Sequence, residues 1–449
     1  MNRQKKLLIL VGVLVALCAV IAIVSGVQKH IDSISTIDEE IVAADPDALT
    51  AVSWTKDGKS LSFTKADGVW QDGSDAAFPV DQDKMADFLA HFESVHASFR
   101  IDDVEDFAQY GLADPSCTIT LTGPDGDTVL SLGDFSTMDQ KRYVTLGDGT
   151  VYLIDDDLAE YAVTDRDEMM RQDLIPDYDT LDGIVATGET AFTVEHRPDE
   201  DLCYTDAYEY YLNENGSYEP LDSDKVEGLV DTLNGLDRSD YATYTADSAT
   251  LGDYGLDAPA LTFTVTTTLD DAQESHALAF GQDGDGNHYL RMDDSPIVYR
   301  VDADAYTDDV AAAGYDTLRP NEVLALNWDD VKSIDFTIDD ATYTAEKSGD
   351  TWKIDGTEVT FDDVSSAIDA LSINTFNSET PAKKQEIAFT VHLDNDAYPE
   401  LTVALYEATV QYDGENCLAQ LDGETLGLLD RSLAVDLTEA VNAIALGLE

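Results

Sequence analysis

Two stretches of this chain say nearly the same thing, and that repetition limits the fold more than any other feature. Residues 106–121 read DFAQYGLADPSCTITL, and residues 252–265 read GDYGLDAPALTFTV. Aligned on Tyr-Gly-Leu they share Tyr110/Tyr254, Gly111/Gly255, Leu112/Leu256, Pro115/Pro259, Thr118/Thr262 and Thr120/Thr264, each pair 144 residues apart. A repeat of about the usual size of a domain predicts tandem modules, each with its own core.

The phrase reads as a structural joint. Gly111 and Gly255 suit a backbone at positive φ, where a side chain clashes. Leu112 and Leu256 are candidate core plugs. Pro115 and Pro259 stop ladder pairing just before a strand, in which Thr118 and Thr120 alternate with Ile119 and Leu121. The competing reading is a ligand loop headed by Tyr110 and Tyr254.

Other features recur at a similar spacing. Residues 81–95 read DQDKMADFLAHFESV, with Met85, Phe88, Leu89, Phe92 and Val95 on one helical face and Asp81 as N-cap. Residues 222–236 (DSDKVEGLVDTLNGL) put Val226, Leu229, Val230, Leu233 and Leu236 in the same places, with Asp222 as cap and Lys225 matching Lys84. Residues 360–371 (TFDDVSSAIDAL) give a third copy, capped by Thr360 with Asp363 in a capping-box position.

Strand signals surround each helix. Alternation broken at Asp57-Gly58 and Asp67-Gly68 predicts an antiparallel meander, and Trp352 answers Trp70 in the third copy. LSLG (residues 130–133) answers LAFG (278–281), and the hairpin at 142–155 answers that at 288–302. The linkers match too, at Leu174/Leu318 and Pro176/Pro320. The third copy has AKKQEIAFTVHL where Tyr-Gly-Leu is due, and reads as degenerate.

The N-terminus is of another kind. Arg3, Lys5 and Lys6 precede residues 7–27, which carry no charge. At about 1.5 Å per residue they reach roughly 30 Å, the thickness of a bilayer core, with the basic end held in the cytoplasm. A cleaved signal would have a shorter apolar region. Leu17 is too bulky to precede a lipoprotein cysteine at Cys18. The expectation is a single-pass cell-membrane protein: a cytoplasmic tail (1–6), an anchor (7–27), a juxtamembrane linker (28–47) and modules at 48–165, 177–312 and 321–449 outside the cytoplasm. The expected class is α+β: a transmembrane helix, then β-rich modules of antiparallel meanders with one amphipathic helix each.

The chain has 449 residues, with 92 acids against 25 bases, and all 92 acids lie beyond residue 30. Such a body repels nucleic acid and attracts cations weakly. Cys117, Cys203 and Cys417 are too few and too scattered for a disulfide framework.

The membrane span, the Trp- and Gly-punctuated meanders, the capped helix, Tyr110–Pro115 and Tyr254–Pro259, and the strands that follow resemble the family known as domain of unknown function 4340. The resemblance covers most of residues 50–320. It implies a bacterial surface protein without assigned activity, often encoded beside ABC-type transporters of the gliding-motility kind. The permease and ATPase subunits of such a system are the partners it suggests, and it brings no catalytic residues.

Enzyme signatures are weak. Ser53/Lys56 and Ser62/Lys65 fit S-x-x-K, but in strand patterns rather than at a helix start. His91 and His96 stand five apart on the first helix, a poor spacing for joint metal ligation. Residues 283–294 (DGDGNHYLRMDD) echo a calcium loop, with His288 where glycine belongs. The tyrosine-rich run 204–218 is either an exposed contact or a strand pair with aromatic packing. The reading is a binding or scaffold protein that is not an enzyme and has no cofactor or metal site; an adhesin, a spacer or a hydrolase of envelope polymer is the alternative.

Overall fold

The computed structural model describes residues 34–338, 341–408 and 414–447. The expected tail and anchor, residues 1–27, lie outside the described residues. Among those described, no helix is long and apolar enough to cross a membrane. The chain divides into two compact units, Met1–Asp173 and Leu174–Glu449. The described architecture is mostly β, with three nine-stranded antiparallel sheets and a few short helices.

Turn chemistry sets the hairpins. Asp57 and Gly58 have φ of 52° and 74°, and Asp67 and Gly68 have 52° and 85°. These tight turns with both central residues at positive φ match the twist of paired strands. Registers follow directly: Lys56 pairs with Lys59, and Ala66 with Val69. Asn215-Gly216, Asp355-Gly356 and Asp422-Gly423 repeat the device.

In the first unit, β1 (Ile34–Val42), β2 (Ala51–Lys56), β3 (Lys59–Ala66) and β4 (Val69–Asp72) precede helix α1 (Gln82–Ala90). After it come β5 (Val95–Ile101), β6 (Cys117–Gly123), β7 (Gly126–Ser136), β8 (Lys141–Thr145) and β9 (Val151–Ile154). The sheet order is β1-β5-β9-β8-β7-β6-β2-β3-β4. The stretch expected as a linker therefore contributes a strand, running from Ile34 opposite Ile101 to Val42 opposite Val95.

Helix α1 starts where Asp81 accepts from the amides of Asp83 (3.0 Å) and Lys84 (3.1 Å). It buries Met85, Phe88 and Leu89, with the Phe88 ring 4.6 Å from Trp54. Each such burial contributes about 1.5–3 kcal/mol. The helix ends five residues short of the expected Val95, which opens β5 opposite Val42. His91 caps the helix and His96 lies on β5, so the two do not share a helix. An apolar residue five places past the last helical one fits a strand start as well as a helix face, and pairing with β1 decides it.

The second unit holds two sheets. One contains β10 (Thr180–Gly188), β11 (Phe192–His196), β12 (Tyr210–Glu214) and β13 (Ser217–Leu221), then helix α2 (Ser223–Gly235). It continues with β14 (Tyr241–Thr243), β15 (Leu261–Leu269), β16 (Ala272–Gln282), β17 (His288–Met292) and β18 (Val298–Val301). The other contains β19 (Val331–Ile338), β20 (Ala341–Ser348), β21 (Thr351–Ile354) and β22 (Thr357–Val359), then α3 (Asp362–Asp369). It closes with β23 (Ile373–Phe376), β24 (Gln385–Leu393), β25 (Glu400–Glu407), β26 (Asn416–Leu421), β27 (Glu424–Asp430) and α4 (Arg431–Leu446).

Their orders, β14-β18-β17-β16-β15-β10-β11-β12-β13 and β23-β27-β26-β25-β24-β19-β20-β21-β22, follow one plan. The first sheet shares it from β5 to β4. In each, the first strands of two meanders meet in the middle and the helix joins the outer ends. The repeat read in sequence is thus a repeat of topology, and the third copy keeps the plan without the Tyr-Gly-Leu phrase.

Two details differ from expectation. The cap position of α3 is Phe361, without a side-chain capping bond, and not Thr360. Helix α4 was not anticipated, although Ala434, Leu437, Val441 and Ile444 are buried at helical spacing, Asp430 caps its start, and Gly447 ends it at φ 62°.

Candidate functional site

The repeated phrase folds the same way twice. Residues Phe107–Tyr110 make one 3₁₀ turn, and the Asp106 carboxylate accepts from the Ala108 amide at 3.0 Å. The turn stops at Gly111, with φ 69°; its counterpart Leu251–Tyr254 stops at Gly255, with φ 66°. Leu112 and Leu256 are buried, and Pro115 and Pro259 stand just ahead of β6 and β15.

Gly133 and Gly281, the last residues of LSLG and LAFG, complete the joint. A Cβ on Gly133 would overlap the carbonyl oxygen of Tyr110, and one on Gly281 would overlap that of Tyr254. The two recurring phrases are therefore halves of one backbone contact. Tyr110 packs on Tyr143 with ring centroids 5.0 Å apart, and Tyr254 on Tyr289 at 5.1 Å. Burial raises the Tyr110 phenol above its ordinary value. Tyr110, Gly111 and Leu112, and Tyr254, Gly255 and Leu256, form this joint, and Pro115 and Pro259 lead from it into the next strand.

The third sheet explains its own departure. Cys117 pairs with Leu132, Leu261 with Phe280, and Ile387 with Leu405. One residue on, Gly133 and Gly281 correspond to Tyr406. With no glycine there, a close-lying turn has no room, and both halves of the joint are missing together.

Lys84 and Lys225 hold the segment that leaves their module. The Lys84 ammonium donates to the carbonyls of Glu168 (3.0 Å) and Met170 (3.3 Å), and that of Lys225 to Arg319 (2.8 Å). The Asp81 amide donates to Met169, and the Asp222 amide to Leu318. The structural counterpart of Leu318 is thus Met169 and not Leu174, which is 43 % exposed. The Leu174/Leu318 match in sequence does not carry over into space.

One element breaks the repeat. The β3–β4 and β20–β21 connections are two residues each, Asp67-Gly68 and Gly349-Asp350, whereas β11 and β12 are joined by residues 197–209. Loops of this length in a compact domain are disproportionately functional. This one is held firmly. The Arg197 amide donates to the Glu209 carbonyl at 2.7 Å, and the Tyr398 hydroxyl to the Leu202 carbonyl at 2.9 Å. The Ala325 amide donates to the Tyr204 hydroxyl at 3.1 Å.

The loop encloses a cleft of about 350 Å³. Tyr204, Tyr208 and Tyr211 line it, with Asp199, Asp201 and Asp206 from the loop and Asp330 from outside it. Burial pushes all three phenols up, so they stay neutral in the physiological range. Arg197 donates to Glu195 (2.6 Å) and to Glu200 (2.5 Å) and stacks on Tyr218. The sequence run 204–218 thus divides: Tyr210 and Tyr211 are buried strand residues, Tyr211 also lining the cleft, while Tyr204 and Tyr208 line it from the loop. Two signals in the sequence marked the loop: the start of the tyrosine-rich run, which it contains, and its length relative to the other two copies.

The model of one family, described as domain of unknown function (DUF4340), matches residues 70–214 and 212–389. The chain belongs to the DUF4340 family. The first match contains Tyr110–Pro115 and the second Tyr254–Pro259. Each match runs from the closing strands of one meander into the next sheet, so the family unit spans the joint and the exit segment. No curated protein matches the chain.

The remaining chemical candidates are accounted for by local structure. Ser53 and Ser62 face each other across β2 and β3. Lys56 donates to Ala159 at 2.6 Å and Lys65 to Pro46 at 3.4 Å, so neither ammonium activates a serine. In the calcium-like loop, Asp283 accepts from the amides of Asp285 (2.9 Å) and Asn287 (3.0 Å), the Asn287 side chain (2.8 Å) and the Tyr289 hydroxyl (2.9 Å). Led by the Asn287 bonds, these hold the carboxyl far below its ordinary range. Asp294 turns to Arg291, 3.6 Å away. Residues 283–287 form the turn between β16 and β17, residues 288–292 are β17 itself, and 293–294 begin the next turn. Among the described residues no group of three or more His, Cys, Asp or Glu could hold a metal ion.

Proposed function

We propose that this DUF4340 protein is a membrane-anchored extracytoplasmic binding or scaffold protein, accessory to an ABC-type transport system. The observation that carries the reading is an uncharged stretch, residues 7–27, behind Arg3, Lys5 and Lys6 and ahead of repeated sheet modules. Three copies of one topology suit a body that sets reach and presents surfaces. The inserted loop in the second sheet supplies a surface that the plain repeat does not need. The acidic body suits a cationic partner rather than nucleic acid or anionic lipid.

The test is crosslinking in the native cell, purification in mild detergent and identification of what is recovered. Permease and ATPase subunits support the reading. Recovery of envelope polymer alone overturns it in favour of an adhesin, a spacer or a hydrolase of that polymer.

A further inference from the structure

We propose that the cleft under residues 197–209 docks a lysine- or arginine-bearing segment of a partner protein. Four observations lead there. First, the same hairpin closes with two residues in the other sheets, so the fold does not require this loop. Second, the loop is preformed by the Tyr398–Leu202 and Ala325–Tyr204 hydrogen bonds, which lowers the ordering cost of binding.

Third, the charge in the cleft is uncompensated. Glu200 shares the Arg197 guanidinium with Glu195, and Asp199, Asp201, Asp206 and Asp330 make no ion pair among the described residues. They are also too dispersed to close on one metal ion. Spread carboxylates suit the spaced charges of an extended basic segment. Fourth, the cleft offers aromatic surface beside the acids. Tyr204 and Tyr208 line the cleft beside the acids, and an aromatic ring next to carboxylates favours an ammonium or guanidinium. A volume of about 350 Å³ suits one anchoring side chain and its backbone, not a folded domain. The inference does not depend on membrane anchoring or on a transporter.

Fluorescence anisotropy of labelled hexalysine against the full-length protein in detergent tests it. One saturable site is expected, weakened about ten-fold or more by Asp201→Asn with Asp206→Asn. The paired change Asp270→Asn with Asp271→Asn, at an exposed hairpin tip, removes the same charge and is expected to leave affinity within about two-fold. Tyr208→Leu keeps the charge and is expected to weaken binding several-fold, with thermal melting reporting that the fold is intact. Equal losses from the two neutralised pairs show diffuse attraction to an acidic surface and overturn the proposal. So does binding without saturation.

Discussion

Gly133 lies against the carbonyl oxygen of Tyr110 so closely that a single methyl group would overlap it. Gly281 stands in the same relation to Tyr254. Gly133→Ala and Gly281→Ala are expected to destabilise their own units by roughly 2–3 kcal/mol, because backbone cannot yield as a side chain does. Gly111→Val, at φ 69° with Asp134 atoms 2.5 Å from a Cβ, is expected to do the same. Trp54 and Trp70 report the first unit and Trp328 and Trp352 the second, so denaturant melts followed by fluorescence assign each loss. An unchanged midpoint in Gly133→Ala would remove the joint.

Gln82 covers the open edge of β4. It accepts from the Trp70 amide at 2.8 Å and donates to the Trp70 carbonyl at 3.0 Å, in place of a further strand. Gln82→Ala is expected to cost about 1–2 kcal/mol and to raise self-association through the uncovered edge. Light scattering at increasing concentration checks this, with Gln82→Glu intermediate because a carboxylate accepts but cannot donate.

The two lysine latches differ in burial, and their loss is expected to differ with it. Lys225→Met is expected to cost about 1.5–3 kcal/mol, since its ammonium is half-buried against the Arg319 carbonyl and Asn321. Lys84→Met is expected to cost under about 1 kcal/mol, because Lys84 is exposed. Chemical denaturation separates the two, and the reverse order would refute the account.

Asp283 makes a pH prediction. Its folded pKa is depressed, so its stabilisation is fully present above the ordinary carboxylate range and is lost as pH falls below it. The wild type is expected to lose more melting temperature than Asp283→Asn between pH 5 and 2, about the range of acid titration of carboxylates. Calcium is expected to leave the difference between the two at neutral pH unchanged, because the loop itself occupies the carboxylate.

Much of this protein was legible as a string because its signals are local. Asp-Gly pairs dictate tight turns, Asp81 and Asp222 cap helices, and alternation dictates strands, each through neighbours a few residues away. Repetition then multiplied every local signal, and the modular plan followed from sequence alone. What only tertiary structure decided depends on strands far apart in the chain. The pairing of β1 with β5 turned an expected linker into a strand and ended α1 before Val95. The meeting of Gly133 with Tyr110 joined two phrases that sequence showed only as separate repeats. Met169, not Leu174, became the partner of Leu318 because the helix cap chooses a carbonyl by position in space. The cleft under residues 197–209 arises because a loop of the second sheet is braced by Ala325 and Tyr398, and no periodicity along the chain records such a distance.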